Sequence, residues 1–196
     1  MADLSTLFDA VKASKKYGVD IVQLRDKLGT TREALKFAKK IQEYLKGRIL
    51  FIVNDRVDVA LLANASGVHV GQGDIPVCEA RKILGPRKII GTSCQTLEHV
   101  MQAHRDGADY IGFGSVFKTE TKPERAPMEL ALLKKAALKA EGLRLPLFAI
   151  GGITRANLSS VLACNVNCVA VCREILKAKS MAVSVGNMKH ALTAGL

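Results

Sequence analysis

The sequence predicts an α/β protein of the (β/α) barrel class, and three observations lead to this prediction. Seven short apolar runs recur along the 196 residues, and a helical pattern follows each of them. The runs are apolar at consecutive positions, which is typical of parallel strands that are buried on both faces. Their starts lie about 20 to 35 residues apart, as in repeated strand–helix units, and no long linker divides the chain. We therefore expect a single barrel domain over residues 1–196.

The predicted strands begin after an N-terminal helix, because Leu4, Leu7, Phe8, Val11 and Tyr17 form a helical apolar stripe. The strands are expected at residues 19–24, 49–53, 67–70, 88–91, 109–113, 146–150 and 167–172. A closed barrel of this class has eight strands, so the first and the last of seven would have unpaired edges. We expect the seam between them to be loosened, filled by rearranged side chains or covered by a second subunit.

The helices between the strands carry their own start signals. Thr30 and Glu33 have the spacing of a capping box, ahead of an apolar stripe that ends at Gly47. Similar patterns predict helices over residues 96–106 and 154–163, the second of them capped by Thr154.

Composition limits the possible function classes. The chain has 29 Lys and Arg against 18 Asp and Glu, and this net charge of +11 attracts acidic or phosphorylated partners. Aromatic residues make up only 5% of the chain and no nucleic-acid motif is found, which argues against a nucleic-acid partner. No apolar run is long enough to cross a membrane, and the N-terminus has no secretion signal. The five scattered cysteines lack the pattern of a disulfide framework, so we expect a reducing cytoplasm.

Candidate metal ligands follow the second and third predicted strands, where Asp55 and Asp74 lie. Neighbouring strands of a parallel sheet are about 4.8 Å apart, so two carboxylates at their ends can converge on one cation. Oxygen ligands without a nearby His or Cys favour Mg²⁺. The alternative interpretation is that each aspartate caps the helix that follows it, and the two interpretations are compatible.

Cationic side chains are expected beside this metal position. Arg25 and Lys27 alternate along an extended segment and so face one side, toward the loop that carries Lys122. Together with Mg²⁺ they predict a diphosphate pocket, although most lysines of a basic chain are simply solvated. The pair Gly151–Gly152 predicts a second phosphate position at the start of a helix, although such a pair is also typical of a tight turn.

Two other patterns are not interpreted as functional sites. Cys164, Cys168 and Cys172 recur every fourth residue, as in an iron–sulfur motif. Two of them lie in a predicted buried strand, where cysteine behaves as a small apolar residue, so we reject that interpretation. His69 falls within a predicted strand, and no histidine of the chain has an evident catalytic partner.

Six motifs occur in order between residues 19 and 176. They are VQLRDK at 22–27, NDRVDVAL at 54–61, GVHVGQGD at 67–74, GTS at 91–93, ADYIG with TETK at 108–112 and 119–122, and AIGGI at 149–153. Through these motifs the chain closely resembles the thiamine-phosphate synthase family, also called thiamine-phosphate pyrophosphorylases. The resemblance implies a TIM barrel that joins a hydroxymethylpyrimidine diphosphate to a thiazole phosphate with Mg²⁺ and releases diphosphate.

The resemblance also implies roles for individual residues. Asp55 and Asp74 would hold Mg²⁺; Arg25, Lys27, Asn54, Ser93 and Lys122 would bind the diphosphate; Gln23 would contact the pyrimidine; and Thr119, Thr121, the Gly152 amide and the turn at Cys172 and Arg173 would bind the thiazole phosphate. Three features depart from the family pattern: the first strand is missing, Lys118 replaces a proline, and Arg173 replaces a serine whose backbone helps to bind phosphate.

Two other functions compete with this one. A relative that tautomerises the thiazole shares the barrel but carries a catalytic histidine and lacks the metal pair, and Asp74 and Ser93 argue against it. A barrel that only binds a phosphometabolite or nucleic acid would use the positive charge as a broad electrostatic face.

Overall fold

The computed structural model describes residues 4–120 and 125–194, and within these ranges it contains one sheet of seven parallel strands. The strands are β1 (Ile21–Leu24), β2 (Leu50–Asn54), β3 (Gly67–Val70), β4 (Ile89–Cys94), β5 (Tyr110–Phe113), β6 (Leu147–Ile150) and β7 (Val169–Ala170). Each strand overlaps one of the predicted apolar runs. The predicted α/β class with seven recognisable parallel strands is therefore confirmed.

Helices separate successive strands. Those that the structure describes are α1 (Leu4–Lys16), α2 (Thr31–Leu45), α3 (Val57–Leu62), α4 (Val77–Leu84), α5 (Leu97–Arg105), α6 (Leu130–Gly142), α7 (Leu158–Leu162), α8 (Arg173–Leu176) and α9 (Met181–Ala194). The capping box of α2 is confirmed, because Glu33 N–H donates to Thr30 Oγ1 at 3.3 Å and Thr30 N–H donates to Glu33 Oε2 at 3.0 Å. None of the helices in the described ranges has the length and apolar character that crossing a bilayer requires.

The sheet is a curled half-barrel with an open seam. Every strand pairs in parallel with the next one along the chain, and no pairing between β1 and β7 is found among the described residues. At the seam α1 packs against α9, and Lys189 Nζ of α9 lies 2.8 Å from Asp20 Oδ2, just before β1. A Cβ at Gly186 of α9 would lie 2.9 Å from the Tyr17 ring, so this glycine permits the close approach of α9. Helices of the same chain thus lie beside the unpaired edges.

Two apolar clusters form the core. One contains buried residues between Val11 and Ile90, and the other contains buried residues between Cys94 and Met188. All residues of β3 and β5 are buried, as expected for parallel strands covered on both faces. This packing fixes the ends of the strands, where the candidate site residues lie.

The last strand differs from its prediction. β7 contains only two residues, and Cys168 and Cys172 are exposed rather than buried. The physical reason is the seam, because within residues 4–120 and 125–194 β7 pairs only with β6 and has no strand on its other side.

The helix predicted over residues 154–163 begins later, at Leu158. The Asn157 side chain closes the preceding turn, since its Oδ1 accepts the Thr154 N–H at 2.8 Å and its Nδ2 donates to the Gly152 carbonyl at 2.9 Å. Thr154 is therefore not the cap of α7. The expectation that Gly152 leads directly into a helix N-terminus is wrong, because this turn intervenes.

Candidate active site

The predicted site residues that the structure describes lie mainly after the carboxyl ends of the strands, which share one edge of a parallel sheet. We call this the carboxyl edge. Gln23 is the third residue of β1, Asn54 ends β2, and Ser93 is the penultimate residue of β4. Asn54 is paired in register with His69 of β3. Thr121 and Lys122 fall outside the described residues.

Asp55 directly follows β2 with a left-handed backbone, at φ 61°. Its N–H donates to the carbonyl of His69 at 2.8 Å, which extends the pairing of β2 with β3 by one residue. Helix α3 follows Arg56, and no side-chain hydrogen bond caps it. The interpretation of Asp55 as a helix cap is therefore wrong, and its carboxyl group instead forms an ion pair with Lys27 Nζ.

Asp74 closes the turn after β3. Its Oδ2 accepts the N–H of Gly71 at 2.8 Å, and its own N–H donates to the Gly71 carbonyl at 3.2 Å. Helix α4 begins after Pro76, again without a side-chain cap. The cap interpretation is wrong for Asp74 as well, because its carboxyl group bonds backward to the end of the strand.

The carboxyl groups of Asp55 and Asp74 converge within hydrogen-bonding reach of one another. Burial raises the pKa of Asp55, the neighbouring Asp74 carboxyl raises it further, and the Lys27 ammonium opposes both effects. The described residues contain no group of three or more His, Cys, Asp or Glu side chains suited to a metal. The acidic pair nevertheless fits Mg²⁺, which proteins usually hold through one or two carboxylates while substrate phosphates and water complete its shell.

A chain of hydrogen bonds, missed by the sequence analysis, crosses the sheet next to Asp55 and runs from a buried centre to the exposed edge. Ser93 Oγ lies 3.0 Å from Nε2 of His69, and Nδ1 of the same ring lies 3.0 Å from the Tyr110 hydroxyl. The Tyr110 hydroxyl also hydrogen-bonds the Gln23 side chain. Burial raises the pKa of Tyr110 well above its ordinary value, so the phenol stays neutral. Four strands thus contribute to one polar network.

Two glycine positions are the sequence signal from which this network could have been found. Gly91 is in register with His69 on one side and with Tyr110 on the other. A Cβ at residue 91 would overlap the Tyr110 ring, and a Cβ at Gly112 would lie 3.2 Å from His69 Cε1. The two glycines make room for two rings whose centroids are 5.4 Å apart.

Arg25 follows β1 and is exposed, with no hydrogen bond or ion pair to another residue in the described ranges. Burial raises the pKa of Cys172, while the nearby charges of Arg173 and Arg25 oppose that effect. Arg25 therefore lies close to the residues that follow β7, across the seam.

The loop after β5 lies against the turn after β6. Val116 N–H donates to the Ile150 carbonyl and Phe117 N–H donates to the Gly151 carbonyl, both at 2.9 Å. Gly152 has φ 63°, and a Cβ there would lie 2.5 Å from the Lys118 carbonyl oxygen. The half-buried Thr119 therefore follows a segment that is fastened to the glycine turn.

Arg173 and Lys177 share one carboxylate. Arg173 Nη2 forms an ion pair with Glu120 Oε1, and Lys177 Nζ lies 3.4 Å from Glu120 Oε2. Cys172 directly precedes α8 and is exposed. The arginine at position 173 thus ties the loop after β5 to α8.

A half-barrel of parallel strands, with an acidic pair and cationic side chains at its carboxyl edge, is the arrangement of barrel enzymes that act on phosphorylated small molecules. The sequence profile of the thiamine monophosphate synthase family matches residues 2–175 of the chain. This chain belongs to that family.

Individual relatives agree with this assignment. The chain is 43% identical over 166 residues to the thiamine-phosphate synthase of Shouchella clausii, a match that covers 84% of this chain and 78% of that protein. It is 44% identical over 189 residues to a probable thiamine biosynthetic bifunctional enzyme, chloroplastic, of Oryza sativa subsp. japonica, covering 94% of this chain. The chain spans only 34% of the length of that rice protein and 30% of the Arabidopsis thaliana thiamine biosynthetic bifunctional enzyme.

Solved structures show the same fold. The thiamine phosphate pyrophosphorylase from Pyrococcus furiosus matches with a TM-score of 0.87 and 32% identity, covering 100% of this chain and 91% of that one. KGPDC from Streptococcus mutans has a TM-score of 0.67 at 14% identity, covering 94% of this chain and 91% of that one. The second likeness concerns the fold alone.

Proposed function

We propose that this chain joins a hydroxymethylpyrimidine diphosphate to a thiazole phosphate and releases diphosphate, the reaction of a thiamine-phosphate synthase. The observation that carries the proposal is the convergence of Asp55 and Asp74 beside Lys27 at the carboxyl edge. Membership of the thiamine monophosphate synthase family supports it. A reaction that expels diphosphate needs positive charge on the leaving group more than it needs an acid–base pair.

Asp55 and Asp74 would hold Mg²⁺ in this proposal. When bound, the ion supplies charge neutralisation on the diphosphate oxygens and keeps coordination positions open for them. Lys27, which is paired with Asp55, would then be free to contact the diphosphate.

The remaining diphosphate contacts are assigned to Arg25, Lys27, Asn54, Ser93 and Lys122. The His69 network gives Ser93 a defined role in this set. When the Tyr110 hydroxyl donates to Nδ1 of His69, the Nε2–H donates to Ser93 Oγ. The hydroxyl hydrogen of Ser93 then remains available to a phosphate oxygen.

Gln23 would contact the pyrimidine of the first substrate. The second substrate is assigned to the loops after β5, β6 and β7, where its phosphate would be bound by Thr119, Thr121, the Gly152 amide and the turn at Cys172 and Arg173. The bond between the pyrimidine methylene and the diphosphate breaks first, the aminopyrimidine ring stabilises the resulting cation, and the thiazole nitrogen attacks it. The protein positions the substrates and contributes no nucleophile.

We also propose a cytoplasmic location and small-molecule substrates as the partners. A second subunit that covers the seam stays a prediction, which a measurement of the oligomeric state tests. The five cysteines are free thiols, which supports a reducing compartment. The two plant relatives are named as chloroplastic proteins.

The direct test is turnover of the purified chain with both substrates and Mg²⁺. We expect thiamine phosphate by mass spectrometry and an equal amount of diphosphate by phosphorus NMR, with strong loss in Asp74→Asn. The matched control is Asp9→Asn, which makes the same chemical change at an exposed residue of α1. Isomerisation of a thiazole phosphate without diphosphate release would favour the tautomerase instead. Binding of both substrates without any turnover would favour a non-catalytic barrel.

A further inference from the structure

One arginine outside the assigned set, Arg125, is held at the carboxyl edge by the residue that follows β4. Gln95 comes directly after Cys94, the last residue of β4. With the Gln95 amide turned so that its oxygen faces the guanidinium, that oxygen accepts from Arg125 Nε and from Arg125 Nη1, both at 2.9 Å. The main chain returns to the sheet just beyond, where the Met128 N–H donates to the Ser115 carbonyl at 3.0 Å. Arg125 therefore lies between the ends of β4 and β5.

The charge of Arg125 is fixed in place but is not neutralised. Three other arginines, Arg56, Arg81 and Arg173, are each paired with a carboxylate. Arg125 instead bonds a neutral amide, and it forms no ion pair with any residue that the structure describes. A guanidinium whose orientation is set by a neutral partner keeps its full charge for an anion.

The Nη2 group of Arg125 is a donor that a ligand can reach. It has no hydrogen-bond partner in residues 4–120 and 125–194, although the side chain as a whole is half-buried. It is not enclosed either, because the buried side-chain nitrogen that lacks a partner in those ranges is Arg173 Nε. Since the guanidinium carries more N–H donors than Gln95 uses, its outer edge can still bind phosphate oxygens.

The position of Gln95 along β4 indicates which part of a diphosphate Arg125 meets. Ser93, whose hydroxyl is assigned to a phosphate oxygen, is the penultimate residue of β4, and Gln95 lies two residues farther along the chain. A strand rises about 3.3 Å per residue, so Gln95 stands up to about 7 Å farther out than Ser93. The pyrimidine, which Gln23 would contact from within β1, lies deeper than both. Arg125 therefore comes beside the outermost group of the substrate, the terminal phosphate.

We propose that Arg125 is a specificity-determining residue that binds the terminal phosphate of the diphosphate substrate, with Gln95 as its positioning residue. This inference rests on the proposed function. A monophosphate lacks the group that Arg125 binds, so the contact selects diphosphates. When the bond to the methylene breaks, its electron pair stays with the diphosphate, and the guanidinium stabilises the added charge. Arg25 and Lys27 approach from the loop after β1, three strands away from β4, so Arg125 supplies charge on the other side.

The test measures binding rather than turnover, with inorganic diphosphate and orthophosphate as the probes. The full chain is titrated with each probe by calorimetry in the presence of Mg²⁺. We expect Arg125→Gln to lower the affinity for diphosphate about tenfold and to leave the affinity for orthophosphate unchanged. Arg105→Gln is the matched control, because Arg105 Nη2 also bonds a glutamine oxygen, that of Gln102 at 2.6 Å, but is exposed in the last turn of α5. This control should bind both probes as the unaltered chain does.

Gln95→Leu tests the positioning role. The change removes the amide acceptor but keeps the charge of Arg125, so we expect diphosphate affinity to fall about three- to fivefold. Because Gln95 acts only through Arg125, the double variant should lose no more affinity than Arg125→Gln alone. The ratio of the two affinities separates this role from a merely structural one, since partial unfolding would weaken the binding of both probes.

Four results would overturn the inference. They are unchanged diphosphate affinity in Arg125→Gln, an equal loss in Arg105→Gln, an equal loss of orthophosphate affinity in Arg125→Gln, and additive losses in the double variant. The proposed function would survive each of them, because the unaltered chain would still bind diphosphate. If the unaltered chain bound no diphosphate at all, the proposed function and this inference would both be wrong.

Discussion

Nε2 of His69 lies 3.0 Å from the hydroxyl oxygen of Ser93, and this contact links the buried centre of the sheet to the carboxyl edge. The other ring nitrogen of His69 meets Tyr110 two strands away, across Gly91. Ser93 lies two residues beyond Gly91, on the same face of β4. The orientation of Ser93 at the carboxyl edge therefore depends on the Tyr110 hydroxyl in the core.

Replacing Tyr110 with phenylalanine should destabilise the fold. The change removes the hydrogen bond between the Tyr110 hydroxyl and His69 Nδ1, and the loss of such a bond costs about 0.5 to 1.5 kcal/mol in unfolding free energy. Urea-induced unfolding of both proteins measures this loss of unfolding free energy. Tyr44→Phe is the matched control, because the Tyr44 hydroxyl has no hydrogen-bond partner in the described ranges. Equal losses in the two variants would contradict the role assigned to the network.

The same phenol should make stability depend on alkaline pH. Burial raises the pKa of Tyr110 above the ordinary tyrosine value, so the unfolded chain releases this proton at a lower pH than the native protein. The stabilisation of the native state by the neutral Tyr110 is complete below about pH 10. Above that pH the free energy of unfolding falls by about 1.4 kcal/mol per pH unit. We expect the stability of the unaltered chain to fall more steeply above that pH than the stability of Tyr110→Phe. Parallel melting curves of the two proteins across this range would refute the shift.

Substitutions at Asp55 should separate catalysis from folding. Asp55→Asn and Asp55→Ala both remove the carboxylate and are each expected to lower turnover about a hundredfold or more. Asparagine tolerates the left-handed backbone at φ 61°, whereas alanine does so at an additional cost of about 1 kcal/mol. Thermal melts should therefore distinguish the two variants, while kinetics should not. Asp9→Asn on α1 is the control, because it makes the same Asp-to-Asn change far from the carboxyl edge. If its turnover were as low as that of Asp55→Asn, the loss in Asp55→Asn would be nonspecific.

Arg25→Ala should weaken diphosphate binding measured by calorimetry in the presence of Mg²⁺. A charge-assisted contact to phosphate is worth about 1.5 to 3 kcal/mol, whereas an exposed surface charge contributes about 0 to 1 kcal/mol. Lys39→Ala, on the exposed face of α2, supplies the surface comparison. If both variants lose the same affinity, Arg25 acts only through the net charge of the protein.

The cysteines should differ in their reactivity toward alkylating reagents. Cys78 is exposed, whereas Cys94 is fully buried and burial raises the pKa of its thiol to about 12. Iodoacetamide at neutral pH should modify Cys78 first and leave Cys94 intact in the native protein, because the thiolate is the reactive form. Mass spectrometry of digested samples resolves the two sites. Similar rates at both cysteines before unfolding would contradict the burial of β4.

The sequence predicted those features that depend on neighbours in chain order. The strands were found because their apolar residues are consecutive, and the meeting of Asp55 with Asp74 follows from the adjacency of β2 and β3. The His69 network was missed because its members are 24 and 41 residues apart and meet only through strand register. Sequence alone does not reveal register.

Local backbone geometry explains the other differences. The cap interpretation of Asp55 was wrong because a non-glycine residue adopts a left-handed turn at the end of β2. The burial expected for Cys168 and Cys172 was wrong because burial there requires a neighbour on both sides of β7. Whether β7 has a strand on both sides depends on the whole sheet, so the sequence of residues 167–172 does not predict it.

The open seam also affects how the chain reaches its native state. Among the described residues every strand pairs with its neighbour along the chain, and the two ends of the chain meet through α1 and α9 rather than through a pairing of β1 with β7. Short loops close at a lower entropic cost than long ones, so pairing neighbouring strands costs less than joining the two ends of the chain. The apolar cluster that ends at Ile90 is complete before the cluster that begins at Cys94 has been synthesised. The first half of the core can therefore condense on the ribosome while the second half is still being translated.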